Sequence, residues 1–278
     1  MSDTSPLIST ADLAARLGDP RLKIIDASWH LDGRDARADF ETSRIPGAIF
    51  FDLDAVSDPN TDLPHMLPSP EAFAASMGGL GLSHTDILVV YDTVGLFSAP
   101  RAWWMLRHMG ASDVRVLDGG LPRWREEGRA LDAGPVSSPL AARFEARVRP
   151  NDVADMATVL AALTGDIQIV DARPAGRFSG QTPEPRPGLR SGHMPGALNL
   201  PFKSLLNDQG GLKRGADLAR VFAEAGVDPD RPVITSCGSG VTAAVLTLGL
   251  TELGRDSLLY DGSWAEWGGL AETPVQTN

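Results

Sequence analysis

Four blocks of sequence occur twice in this chain, in the same order, and this duplication limits the possible folds more than any other feature. The aspartates of the first pair of blocks, Asp26 and Asp171, lie 145 residues apart, and the tryptophans of the last pair lie 143 apart. The matched pairs are LKIIDASW (22–29) with IQIVDARP (167–174), SRIPGAIFFDL (43–53) with GHMPGALNLPF (192–202), DILVVYDTVG (86–95) with RPVITSCGSG (231–240), and LDGGLPRW (117–124) with YDGSWAEW (260–267).

The duplication predicts two similar domains. A length of 278 residues also favours two domains over one. We place the first domain at 1–130 and the second at 151–278. The linker at 131–150 is rich in Pro, Ala and Ser.

Each half alternates short β-branched runs with helical patterns, which predicts the α/β class. The strand candidates lack strict polar alternation, as expected of parallel strands covered on both faces. We therefore expect each domain to be a mostly parallel sheet flanked by helices, with its site beyond the carboxyl ends of the strands. The strand candidates include 22–26, 87–91, 167–171 and 232–236, and the helix candidates include 10–17, 71–77, 100–109, 152–163, 215–225 and 242–253.

Charge and composition exclude several classes of partner. The formal net charge of −11 argues against nucleic acid, because a phosphate backbone requires a basic surface. No run approaches the roughly 20 apolar residues of a membrane span. The N-terminus lacks the pattern of a secretory signal, and a single cysteine excludes an internal disulfide framework. Together these features predict a cytoplasmic protein.

The only cysteine, Cys237, ends a strand candidate and precedes a glycine-rich loop and a helix candidate. Successive loop amides and a helix N-terminus favour an anion, and the thiolate is the reactive form of cysteine. We therefore interpret Cys237 as a nucleophile that could also carry a persulfide; the alternative is a small buried hydrophobic residue. The first half has Asp92 at the matching position, which cannot act as a sulfur nucleophile, so the chemistry is predicted in the second domain.

Other catalytic loops do not fit this stretch. A C-x5-R phosphatase requires an arginine at position 243, where the chain has Ala243. A G-x-S-x-G elbow requires a glycine where Cys237 stands, and no Gly-Lys-Ser/Thr ending marks a P-loop. No His/Cys cluster has metal-ligand spacing, so we predict neither a metal nor another cofactor.

The repeated blocks, together with GRFSGQTPEPR and CGSGVTA, resemble the two-domain rhodanese superfamily of sulfurtransferases over residues 7–270. Thiosulfate-specific members typically carry Cys-Arg-Lys-Gly-Val-Thr in the loop. The loop here is similar to that of the 3-mercaptopyruvate branch: its residues after the cysteine are Gly238, Ser239, Gly240, Val241 and Thr242. Losing two cations should weaken the binding of a dianion more than that of a monoanionic keto acid.

The resemblance implies a two-step reaction. Cys237 would take sulfur from 3-mercaptopyruvate as a persulfide, release pyruvate, and pass the sulfur to thioredoxin, a small thiol or cyanide. Thiosulfate as the main donor, and a persulfide carrier or regulatory module without catalysis, remain the alternatives.

The resemblance also implies the remaining site residues. Arg177 and Arg186 would bind the substrate carboxylate and carbonyl. Ser239, His65 and Asp54 would form a Ser-His-Asp arrangement that handles the proton of the released carbanion, with His65 and Asp54 contributed by the first half of the sequence.

Overall fold

A computed structural model of the chain describes residues 5–136 and 139–277. Within these residues the chain forms two compact units. The first contains the chain up to Pro59, Leu67–Arg149 and Asp208–Gly211, and the second contains Asn60–Met66, Pro150–Asn207 and the chain from Leu212 onward. The predicted domain boundaries stay a prediction, but residues 60–66 belong to the second unit although they lie in the first half of the sequence.

The first unit is built on a five-stranded parallel sheet with strand order β1-β5-β4-β2-β3. Buried side chains of β2, β4, β5 and α6 form its core, among them Ile24, Val89, Tyr91, Leu117 and Trp124. Its strands are β1 (Leu7–Ile8), β2 (Leu22–Asp26), β3 (Ile49–Phe50), β4 (Ile87–Tyr91) and β5 (Asp113–Leu117). Its helices are α1 (Thr10–Ala14), α2 (Ala36–Thr42), α3 (Leu53–Val56), α4 (Pro70–Gly79), α5 (Ala99–His108) and α6 (Gly120–Glu126).

The second unit repeats this topology with strand order β6-β10-β9-β7-β8, again parallel throughout. Its core includes Ile169, Ile234, Tyr260, Trp264 and Trp267. Its strands are β6 (Val153–Ala154), β7 (Gln168–Asp171), β8 (Leu198–Asn199), β9 (Val233–Ser236) and β10 (Leu258–Tyr260). Its helices are α7 (Met156–Ala162), α8 (Ala175–Phe178), α9 (Gly215–Glu224), α10 (Ala243–Glu252) and α11 (Ser263–Trp267), with a 3-10 turn at Phe202–Leu205.

Two matching five-stranded parallel sheets confirm the predicted α/β class. The central strands β4 and β9 are almost wholly buried, which explains why their sequences are apolar without alternation. The prediction of a helix over 152–163 is wrong at its start. Val153 and Ala154 pair with β10 as a strand, and the helix begins at Met156, where the Asp155 side chain accepts the Thr158 N–H.

The described part of the predicted linker packs along the first unit. The Phe144 ring meets Phe73 edge-on at 5.7 Å, and the Ala142 N–H donates to the Gly78 carbonyl at 2.9 Å. Glycine is required at 78, because a Cβ there would lie 2.7 Å from the Ala142 carbonyl oxygen. The segment is thus part of the first unit's packing.

Within residues 5–136 and 139–277, no helix is both long and apolar enough to cross a membrane.

Candidate active site

Cys237 directly follows the buried strand β9, at the carboxyl edge of the second sheet. The residue is 2% exposed. The loop 238–242 then turns into α10, and Gly240 has a φ of +76°, a conformation that favours glycine. The fold therefore places the thiol where parallel α/β sheets typically carry their sites.

The hydroxyl of Ser263 organises this loop. Its Oγ accepts the amide N–H groups of Cys237 at 3.2 Å and Gly240 at 3.1 Å, and it donates to the Tyr260 carbonyl at 2.8 Å. Ser263 has a φ of +49°, a left-handed conformation that costs a non-glycine residue roughly 1 kcal/mol or more. The first unit has Gly120 at the matching position, with a φ of +56°.

Sequence reasoning missed Ser263. The available signal was its alignment with Gly120 in the fourth pair of blocks, since a serine in place of a turn glycine needs a reason. The hydroxyl that bridges two loop amides supplies that reason.

The start of α11 holds the loop through backbone bonds. The N–H groups of Trp264 and Ala265 donate to the carbonyls of Cys237 and Gly238, both at 2.9 Å. The amides of Gly238, Ser239, Val241 and Thr242 make no hydrogen bond to any residue that the structure describes. Beside Cys237 the loop therefore offers several backbone donors to an anion.

Ser239 and His65 meet within the second unit, although 174 residues separate them. The Ser239 Oγ lies 3.0 Å from Nδ1 of His65, and both residues are buried. A histidine at this distance can exchange a proton with the hydroxyl. Two members of the predicted Ser-His-Asp arrangement are thus in hydrogen-bond contact.

Asp54 lies in the first turn of α3, in the first unit, and is exposed. Its Oδ2 accepts the indole N–H of Trp29 at 3.1 Å. The assignment of Asp54 to the same arrangement as His65 stays a prediction.

Arg177, on α8, lies beside the loop. Its Nη2 is 3.0 Å from the point where a Cβ on Gly238 would stand. Its side chain is 17% exposed. Its Nε and Nη2 donate to the carboxylate of Glu184, whereas its Nη1 bonds to none of the described residues. Arg186 is partly buried in the segment between α8 and β8, and its role stays a prediction.

Glu184 joins Arg177 to Arg173, which is buried. Its side chain is 1% exposed and also accepts Nη1 of Arg173 at 2.8 Å. Arg173 pairs with Asp171, and its guanidinium lies 4.2 Å from the centre of the Trp264 ring. Sequence reasoning missed Glu184, although it lies in the same GRFSGQTPEPR block as both predicted arginines.

Among the described residues, no group of three or more His, Cys, Asp or Glu side chains could hold a metal ion. The expectation that the enzyme needs no metal or other cofactor stays a prediction.

Comparison with known proteins assigns the family. The rhodanese-like domain model matches twice, at residues 9–127 and 156–270. The chain belongs to the rhodanese family and carries one such domain in each half, as the sequence predicted.

The curated relatives identify the class of enzyme. The chain is 47% identical to the 3-mercaptopyruvate sulfurtransferase of Escherichia coli K12 over 269 residues, 95% of each chain. It is 43% identical to the human 3-mercaptopyruvate sulfurtransferase, covering 94% of this chain and 89% of the human protein. A thiosulfate sulfurtransferase from Gallus gallus is 41% identical, with 94% and 90% covered. The prediction of a sulfurtransferase enzyme is confirmed.

A solved structure agrees with this assignment. The crystal structure of SseA from Escherichia coli has a TM-score of 0.86 at 43% identity, covering 94% of this chain and 99% of that one.

Proposed function

We propose that this sulfurtransferase takes sulfur from 3-mercaptopyruvate, carries it as a persulfide on Cys237, releases pyruvate, and passes the sulfur to a thiol or cyanide. The observation that carries the proposal is one arrangement in the second unit. It consists of a cysteine beside loop amides that bond to none of the described residues, a buried Ser239–His65 pair and an arginine against the same loop.

In the first half-reaction the Cys237 thiolate attacks the donor sulfur. A sulfur–sulfur bond forms, the carbon–sulfur bond breaks, and the electron pair of the broken bond stays on carbon as the enolate of pyruvate. The loop amides stabilise the sulfur anion before and after transfer.

Arg177 binds the donor carboxylate, since a guanidinium can offer parallel N–H donors to a carboxylate. Arg186 is proposed as a second donor. Gly238, Gly240, Val241 and Thr242 supply the backbone that faces the donor and the persulfide.

The enolate then takes up a proton to become pyruvate. Ser239 and His65 deliver this proton, and Asp54 is proposed to orient His65. In the second half-reaction an acceptor thiolate attacks the outer sulfur and Cys237 leaves as thiolate, ready for another donor. Thioredoxin, a small thiol or cyanide suits this step. A single cysteine suits a reducing compartment, so we propose a cytoplasmic location.

Thiosulfate is the second candidate donor, because one of the relatives above is named for that activity. The small uncharged residues Gly238 and Ser239 favour the monoanionic keto acid. Comparing kcat/KM for the two donors decides between them, and a preference for thiosulfate would reject our choice.

The test of function is pyruvate release from 3-mercaptopyruvate, followed by mass spectrometry of the intact protein. We expect pyruvate, and a gain of one sulfur atom on the peptide that contains Cys237. The Cys237→Ser variant should produce neither. A wild-type protein that releases no pyruvate from 3-mercaptopyruvate, but gains one sulfur atom on Cys237 from an added small-molecule persulfide, would instead be a persulfide carrier.

A further inference from the structure

The carboxylate that holds Arg177 has no place in the reaction described above. The side chain of Glu184 is almost fully buried, and its carboxylate binds Nε and Nη2 of Arg177. The same carboxylate accepts Nη1 of Arg173. The donor-binding arginine is therefore half of a fixed ion pair before any donor arrives.

The charges of this cluster cancel. Two guanidinium groups, of Arg173 and Arg177, meet two carboxylates, of Asp171 and Glu184. Asp171 contacts Arg173 and Glu184 bridges both arginines, so the negative charge beside Arg177 comes from Glu184. Arg177 thus offers N–H donors, but the Glu184 carboxylate cancels most of its positive charge.

A site of this kind discriminates between donors by charge. A carboxylate can still use the Nη1 edge of Arg177, which Glu184 leaves open. A dianion needs more positive charge than hydrogen bonds alone provide, because its second charge interacts with the net potential of the site.

We propose that Glu184 is a specificity-determining residue that neutralises and orients Arg177, and so favours a monoanionic keto acid over the thiosulfate dianion. This inference rests on the proposed function, because it takes Arg177 as the group that binds the donor carboxylate. Glu184 acts through Arg177 and is a positioning residue.

The test compares kcat/KM for thiosulfate and 3-mercaptopyruvate in Glu184→Gln. The substitution removes one negative charge, and a dianion gains twice the attraction that a monoanion gains. We expect the ratio of the two values, thiosulfate over 3-mercaptopyruvate, to rise about tenfold. An unchanged or lower ratio in a folded variant would overturn the proposal.

Two further variants separate charge from position. Glu184→Asp keeps the charge but shortens the side chain, so kcat/KM should fall for both donors with the ratio nearly unchanged. Asp171→Asn also removes one charge and breaks a buried ion pair, but its carboxylate does not contact Arg177. It should change the ratio less than Glu184→Gln, and an equal change would attribute the effect to total charge.

If Glu184→Gln fails to fold, the dependence of kcat/KM on salt concentration tests the same proposal in the unmodified enzyme. With Arg177 neutralised and a chain of net charge −11, added salt should leave kcat/KM for thiosulfate level or raise it. A steep fall with salt that persists in Arg186→Ala, which lacks the second proposed donor cation, would indicate that Arg177 is uncompensated and reject the proposal. Absence of pyruvate release from 3-mercaptopyruvate would reject the proposed function itself, whatever the charge dependence.

Discussion

In the loops that follow the central strands β4 and β9, the matching residues Asp92 and Cys237 differ in whether they accept the backbone N–H groups of their own loop. In the first unit, the buried Asp92 carboxylate accepts four backbone N–H groups of its own loop: Val94 at 3.0 Å, Phe97 at 2.8 Å, Ser98 at 3.0 Å and Ala99 at 2.9 Å. In the second unit, Cys237 stands at the matching position beside loop amides that no described residue accepts. The Asp92 side chain thus accepts the amides of the first loop as part of the fold, whereas we propose that the amides of the second loop stabilise an anion that forms on Cys237 during the reaction.

Exchanging the residue at 237 tests this comparison most severely. In Cys237→Asp the new carboxylate should accept the loop amides as Asp92 does. We expect pyruvate release to fall by on the order of a thousandfold or more, because the nucleophile is lost. We also expect the free energy of unfolding to exceed that of Cys237→Asn by about 1 kcal/mol, because charged acceptors make stronger hydrogen bonds. Urea unfolding of both variants provides the measurement. Equal stabilities would show that the loop does not favour an anion.

The reverse change removes the anion from the first loop. Asp92→Ala leaves four loop amides without their acceptor, and we expect a loss of about 4 kcal/mol in the free energy of unfolding. Asp92→Asn should lose less, since its carbonyl oxygen can still accept some of these bonds. Denaturant titrations of the two variants supply the comparison, and a loss below about 1 kcal/mol in Asp92→Ala would contradict this reading of the loop.

The aspartates that end β2 and β7 form a second contrast. Asp171 is paired with Arg173, two residues on. Asp26 has Ser28 at that position, and its Oδ1 accepts the Ser28 N–H at 3.0 Å and the Ser28 hydroxyl. None of the ion pairs among the described residues includes Asp26, and burial raises its pKa from 3.8 to about 6.

This raised pKa gives the first unit a pH dependence that Asp26→Asn should remove. The folded state binds the proton more tightly than the unfolded state, so the contribution of Asp26 to stability is present at acid pH and lost as pH rises through about 6. Between pH 4 and pH 7 the unfolding free energy of Asp26→Asn should therefore gain about 2 kcal/mol relative to wild type. Unfolding curves of both proteins across this range measure the gain. A constant difference would mean that Asp26 titrates alike in both states.

The sequence predicted the buried strands β2, β4, β7 and β9, the internal repeat and the loop that follows β9, and the structure confirms each of them as part of the fold. The start of α7 was wrong because Val153 and Ala154 are held by β10, about 100 residues away. Ser263 and Glu184 were missed for a related reason. Their roles depend on hydrogen bonds to Cys237 and to Arg177, and residue order does not reveal such partners.

His65 could be predicted from the family resemblance but not from a local sequence pattern. Its contact with Ser239 spans most of the chain, and no local signal separates it from an ordinary surface histidine. Only the similarity to a known family selected it, and the structure places the two side chains together.

Residues 139–149 determine where the first domain would have to end if it were transferred to another protein of this kind. The two halves match as far as the antiparallel bridges Arg44–Asp132 and His193–Gln276. Beyond its bridge the first half continues across its own unit, where Arg147 and Arg149 donate backbone N–H groups to Met109 and His108. If a first domain transferred to another protein ended where the repeat ends, the Phe73 ring would be exposed and the carbonyls of Met109 and His108 would lose these hydrogen bonds. A transferred first domain therefore has to include residues 139–149.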